Sequence, residues 1–259
     1  MKIIATLAAL LLTAAVHAGP AKTIYTIGNS LTEDTAPWLY ADAWHVFCSR
    51  NLAFIYEFPD QHCNASSTPW PDALTKQQYE FVTVQPFNGT SLQEDFELIS
   101  LWMLMQPRAT FVVHSGWAEH ALHNDSYNAE SIKLMVHSPA YFSALVEMLR
   151  ERFGYHRVRF NPAFEANERI RRDILSGVAP FSMFDDLFLD SIHMTRKTGR
   201  YLQHNLMRRT LGMPPSAEGF ATVAPHVRVY LDGVVDAVST RKPVTVGGSR
   251  RSAPKEGFF

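Results

Sequence analysis

The sequence predicts an α/β protein built on a five-stranded parallel sheet, and three observations carry that reading. Five short runs rich in β-branched and apolar residues, "KTIYTIG", "LAFIYEF", "YEFVTVQP", "ATFVVHS" and "YHRVRFNP", are each bounded by Gly, Pro, Asn or charged residues, as buried strands are. The segments between them space apolar residues at helical intervals, and strands that alternate with helices of about 10–15 residues form βαβ units, whose strands run parallel. At 259 residues, 46% of them hydrophobic, the chain is long enough to bury a full core as one domain.

At the start of the chain, "MKIIATLAALLLTAAVHA" combines a basic Lys2, an apolar run and a small-residue ending. That is the layout of a secretory signal peptide, here residues 1–18, cleaved after Ala18. The apolar run is short for a bilayer of about 30 Å, so the expectation is a secreted or periplasmic protein without stable membrane insertion. Export makes Cys48 and Cys63 candidates for one disulfide, two buried thiols being the alternative. The domain then spans 19–240. The basic tail 241–259, with Gly, Ser and Pro and little apolar periodicity, is expected to be disordered.

Within the domain, the run "KTIYTIG" opens the sheet. Trp38, Leu39, Ala43, Val46 and Phe47 have helical spacing, and "LAFIYEF" follows as the expected second strand. Leu92, Phe96, Ile99, Leu101 and Trp102 mark a helix after the third run, and Tyr141, Leu145, Leu149 and Phe153 mark one after the fourth. A last helix is expected over roughly 222–238. Ligands of such sheets bind beyond the carboxyl ends of the strands, which directs attention to "GNSLTED", "PDQHCNASSTPW", "PFNGTS", "SGWAEHALHNDSYN" and the run leading to "DSIHMT". The loop at residues 115–138 exceeds the usual βα connection of about 2–6 residues and reads as a substrate-shaping loop.

A formal net charge of -1 leaves no cationic excess for neutralising phosphates, so nucleic acid is not an expected partner. A small polar or neutral substrate fits better. A serine hydroxyl is a weak nucleophile until a histidine takes its proton, and that histidine needs an acceptor to fix its tautomer. Ser30 in "YTIGNSLTE" follows a strand, and "FLDSIHMTRKTGRYL" supplies Asp190 and His193 three residues apart. Either motif alone reads as a helix cap or turn, with Thr32 offering similar capping chemistry. Together, at opposite ends of a five-strand pattern, they point to one catalytic site.

At this point the chain resembles the SGNH (GDSL-type) hydrolase family. "IGNSLTED" is similar to its first block, with Asn29 where Asp is more frequent, and "LFLDSIHMTRKTGRYL" to its last, with Gly199 six residues after His193. The intervening "FNPAFEANERIRRDILSG" also looks like the stretch that precedes that block. The resemblance spans roughly residues 23–212. It implies a three-layer, flavodoxin-like sandwich and ester hydrolysis without a cofactor. It also implies an oxyanion hole made by the N–H of Ser30, a backbone N–H in the second block and an asparagine side chain in the third. "HCNASSTPW" stands for the second block, with Asn64 and Ala65 where glycine is expected; Ala65 is the candidate. Asn88 of "VTVQPFNGTS" is the third-block candidate, with Gln85 as competitor; the alternative "SGWAE" lacks the asparagine.

His114, Glu119, His120 and His123 offer imidazole and carboxylate groups, but their spacing is not His-Glu-x-x-His, and no metal is expected. Trp70 and Trp117, in loops on the expected active face, are candidates for stacking on sugar rings. The resulting expectation is an exported serine esterase for small acyl esters, including O-acetylated carbohydrate. The rivals are a lipid esterase or thioesterase, and a ligand-binding protein on the same fold without turnover.

Overall fold

The computed structural model describes residues 22–240; the expected signal peptide and the basic tail lie outside the described residues. Five strands form one sheet: β1 (Ile24–Gly28), β2 (Ala43–Val46), β3 (Phe81–Val84), β4 (Thr110–His114) and β5 (Val158–Asn161). They lie in the order β2-β1-β3-β4-β5, and every pairing is parallel. Between and after them run α1 (Ser30–Glu33), α2 (Leu52–Glu57), α3 (Trp70–Lys76), α4 (Leu92–Met105), α5 (His123–Tyr127), α6 (Pro139–Phe153), α7 (Ala163–Leu175), α8 (Thr198–Thr210) and α9 (Pro225–Ser239).

The side-chain alternation of the strands makes the layers. Tyr25 and Ile27 of β1 join Val82, Val84, Phe111 and Val113 in the core under α2, α3, α4 and α6. Ile24, Phe81 and Val112 face the opposite way, onto Met207 and Leu211 at the end of α8, and α9 covers α7 and α8 in turn. This is the three-layer, flavodoxin-like α/β fold. Each large apolar side chain buried completely, such as Ile99 or Met103 of α4, contributes about 1.5–3 kcal/mol. α4 starts at a capping box: Ser91 Oγ accepts from Glu94 N at 3.2 Å, and the Glu94 carboxylate accepts from Ser91 N at 2.8 Å. Among the described residues, no helix is long and apolar enough to cross a membrane.

Two elements exchange places relative to the sequence reading. The second strand is Ala43–Val46, inside the segment expected to be helical, and the expected strand "LAFIYEF" is the helix α2. In α2, Asn51 Oδ1 accepts from Phe54 N at 3.0 Å as an N-cap, and the two fully buried residues, Leu52 and Ile55, lie one helical turn apart. A strand would have paired Leu52 with Phe54 and Tyr56 on one face. Upstream, Pro37 begins only a single 3₁₀ turn, Pro37–Leu39, after which the chain pairs with β1 from Tyr25↔Ala43 to Gly28↔Val46. The last helix starts at Pro225, where a proline without an N–H suits the first turn. Cys48 and Cys63 form a disulfide with an S–S distance of 2.07 Å, which joins the loop after β2 to the segment leading to α3.

Candidate active site

β1 ends at Gly28, and the chain turns at once into α1. Gly28 is obligatory here: a Cβ would stand 2.1 Å from Thr32 Oγ1 and 2.9 Å from Gln85 Cβ. Asn29, rather than Ser30, caps α1, its Oδ1 accepting from Leu31 N at 2.9 Å. The hydroxyl of Ser30 is thereby left for other chemistry, and the Ser30 N–H points out of the first turn, where helix N–H groups lack intrahelical partners.

The histidine arrives on a tight hairpin. Leu189 N donates to His193 O at 2.7 Å, Thr195 N to Leu187 O at 2.8 Å, and Phe188 bridges Met194, so Asp190, Ser191 and Ile192 form the tip. Gly199 lets α8 approach this hairpin, since a Cβ there would lie 2.4 Å from Leu187 O. Asp190 Oδ1 accepts the backbone N–H groups of Ile192 and His193 at 2.9 and 2.8 Å, while Oδ2 lies 2.8 Å from His193 Nδ1. Those two backbone N–H groups, the first cause, hold the Asp190 carboxyl down at about 2, so it is ionised and accepts from Nδ1–H. His193 Nε2 is then the acceptor facing Ser30 Oγ at 2.9 Å. Residues 163 positions apart thus meet in the order Ser30, His193 and Asp190, an arrangement that can act chemically as nucleophile, base and orienting acid. The His193 and Asp190 side chains are 37% and 51% exposed, so the site is open and shallow.

The remaining expected site residues divide. Asn88 is exposed after β3, its carbonyl accepting from Asn51 Nδ2 at 3.2 Å, and its own side-chain amide makes no hydrogen bond among the described residues. Gln85 is buried and occupied: its Oε1 accepts from Asn29 N at 3.2 Å and its Nε2 donates to Pro86 O at 2.6 Å. It braces the turn before Ser30 and is buried at 1% exposure. Ala65 sits in an exposed turn two residues past the disulfide, not in the loop after β2. With β2 ending at Val46, that loop is 47–51, and Ser49 within it has φ 59°, a left-handed conformation that favours glycine. Asn29 Nδ2 donates to Arg50 O at 3.1 Å, which ties the loop to the nucleophile turn. With Ala43–Val46 as the second strand, "FCSRN" is the second-strand loop.

Both tryptophans are engaged in packing, Trp117 completely and Trp70 in part. Trp117 is fully buried, and its Nε1 donates to Ile192 O at 2.7 Å. Trp70 stacks on Tyr56 with ring centroids 5.0 Å apart, meets Trp102 edge-on, and donates to Ile55 O; it packs α3 against α2 and α4. The histidine-rich loop disperses rather than converging. His114 Nδ1 lies 2.9 Å from Asn161 Oδ1, His120 Nδ1 3.0 Å from Asp185, and His123 Nε2 3.2 Å from Glu168.

A residue missed in the sequence is Asp34, at the end of α1. Its carboxylate is fully buried, accepting from Met194 N at 2.7 Å and from Arg200 Nε at 2.9 Å. Burial pushes its pKa up to about 6 against the pull of those two donors. Nothing but its position four residues after Ser30 marks it in the sequence.

No protein-family model matches the chain, and no curated protein matches it. Among solved structures, it is similar to a DUF4886 family protein from Bacteroides uniformis, at 12% identity and a TM-score of 0.52, over 86% of this chain and 98% of that one. A candidate GDSL-like lipase from Parabacteroides merdae matches at 12% identity and a TM-score of 0.46, over 74% of this chain and 96% of that one. At such identity the first likeness is one of fold, and it extends over nearly the whole of the described domain.

Proposed function

We propose that the protein is an exported serine ester hydrolase of the SGNH (GDSL-type) kind, acting on small acyl esters. The observation that carries this reading is the unbroken relay from Asp190 Oδ2 through the His193 ring to Ser30 Oγ, with separations of 2.8 and 2.9 Å. Ser30 Oγ attacks the acyl carbon as His193 Nε2 takes its proton. The Asp190 carboxylate stabilises the imidazolium that results. His193 then gives that proton to the departing alcohol, leaving an acyl-Ser30 ester. In the second half, His193 draws a proton from water, which attacks the same carbon and releases the acid and free Ser30.

Negative charge on the carbonyl oxygen needs donors. The Ser30 N–H, the backbone of the loop at Ser49 and the Asn88 amide are the groups the fold brings to the ends of β1, β2 and β3. The openness of the site suits a short acyl group on a bulky alcohol that stays outside, as in an O-acetylated glycan. The disulfide fits the oxidising compartment that the amino-terminal leader suggests.

A lipid-directed esterase is the second reading, favoured by exposed Leu122, Leu134, Met183 and Leu189 in the loops after β4 and before His193. Rates on p-nitrophenyl esters of increasing chain length separate the two: a fall beyond butyrate supports the short-acyl reading, a rise the lipid one. The hydrolase reading itself is tested by a fluorophosphonate probe. Stoichiometric labelling that is lost in Ser30→Ala is expected; an unlabelled wild type would leave a binding protein without turnover.

A further inference from the structure

Asp34 is an acid that the hydrolytic steps do not use, yet the fold buries it completely. Burying a carboxylate costs several kcal/mol even when it is paired, and an apolar residue of similar volume is often as stable or more so. What the charge gains here is a particular connection. One oxygen holds the N–H of Met194, the residue that follows His193, and the other holds Arg200 on α8. The Arg200 guanidinium in turn lies over Trp38, 5.7 Å from the ring centroid, on the segment that follows α1. The carboxylate therefore bridges three pieces of chain: the helix that begins with Ser30, the hairpin that carries His193, and the helix that follows it.

We propose that Asp34, through its ion pair with Arg200 and its bond to Met194, is a positioning residue that sets the His193 hairpin against the nucleophile helix. The inference rests on the hydrolase reading of Ser30 and His193 and adds to it. The His193 hairpin is half-exposed at its tip, where Trp117 Nε1 holds Ile192 O and His120 N holds Ser191 O at 2.9 Å, both from the loop after β4; beside the Ser30–His193 contact itself, Asp34 is the bond that reaches the hairpin from the end of the Ser30 helix. Asp34 touches no reacting atom, so its loss should change how often Nε2 is in reach of Oγ and leave probe binding alone.

The test uses the full chain and a fluorophosphonate, measuring kinact and KI for the wild type, Asp34→Asn and Asp34→Ala, with thermal melts alongside. A displacement of about 1 Å can cost about 10²-fold in rate. Asp34→Ala is therefore expected to lose about that factor in kinact, and Asp34→Asn, which keeps an acceptor but not the charge, about tenfold. KI stays unchanged in both. Should Asp34→Ala fail to fold, Asp34→Asn decides. A folded Asp34→Asn that labels at the wild-type kinact, even with a lower melting temperature, overturns the positioning role while leaving the hydrolase reading intact. An unlabelled wild type overturns both.

Discussion

The indole N–H of Trp117 donates to the carbonyl of Ile192 at 2.7 Å, one residue before His193. A buried ring at the end of β4 thus holds the tip of the histidine hairpin from below. Trp117→Phe keeps most of the packing and orphans that carbonyl, at a cost of about 1–3 kcal/mol. The expected result is a lower melting temperature and a similar loss of kcat on p-nitrophenyl and glycan esters. A loss confined to glycan esters would instead make Trp117 a substrate contact.

Asp190 is held ionised by two backbone N–H groups and titrates at about 2. A fall in activity between pH 7 and pH 4 therefore does not arise from its protonation. In Asp190→Asn the backbone bonds can survive, but the imidazolium loses its counter-charge and the tautomer its anchor. A kcat lower by about 10²–10⁴ is expected, the upper end being the loss seen where such an acid is buried. Steady-state kinetics on a short acyl ester measure it.

Asn88 is the proposed oxyanion donor that mutation can remove, its side-chain amide making no hydrogen bond among the described residues. Losing one such donor costs about 10²–10³ in rate, so Asn88→Ala should fall by that factor in kcat with little change in KM. Ala65→Gly should leave kcat where it was, because Ala65 lies past the disulfide and outside the second-strand loop. Equal losses in both variants would return the second-block role to Ala65.

The Cys48–Cys63 bridge spans 15 residues, and a loop of that size stabilises by about 3 kcal/mol through the unfolded chain. Cys48→Ser with Cys63→Ser, or reduction of the wild type, is expected to lower the melting temperature accordingly. It should also lower kcat, since the bridge anchors the loop that Asn29 holds through Arg50 O. Differential scanning calorimetry with and without reductant checks the first, and ester hydrolysis the second.

Burial pushes Asp95 up to about 7, although Tyr141 donates to it at 2.7 Å. The folded state then binds a proton more tightly than the unfolded chain, whose Asp titrates near ~3.9. The stability linked to this proton is present at low pH and is lost as pH rises from about 4 through about 7. Asp95→Asn should therefore gain in melting temperature over the wild type as pH goes from 4 to 8. The buried His114, His137 and His204, each lowered by burial to about 4, act in the opposite direction. They destabilise the fold as pH falls from about 6.5 to about 4. The difference between variant and wild type isolates Asp95; a difference flat with pH would refute its raised pKa.

How much could be read in advance depended on whether the information was local. The runs around Ile24–Gly28, Phe81–Val84, Thr110–His114 and Val158–Asn161 are β-branched and bounded by turn residues, so four of five strands were legible. Ser30 and the Asp190–His193 pair were legible for a similar reason: each is a short motif whose chemistry makes sense only beside the other. "AWHV" is a strand and "LAFIYEF" a helix, the reverse of the sequence expectation, because short apolar runs do not reveal their period. A strand at the sheet edge is chosen by the partner it finds, here β1, and a short helix by its cap, here Asn51.

By itself, then, the sequence determined the α/β alternation and which serine, histidine and aspartate could work together. Only the tertiary structure decided what surrounds them: that Trp70 and Trp117 pack against the fold, that the second-strand loop is 47–51, and that Asp34 lies buried between the Ser30 helix and the His193 hairpin. Those outcomes depend on which distant backbone groups and rings come to share one small volume. Burial then places a carboxylate four residues after a serine on Met194 N and Arg200 Nε instead of in solvent, and no local pattern encodes that.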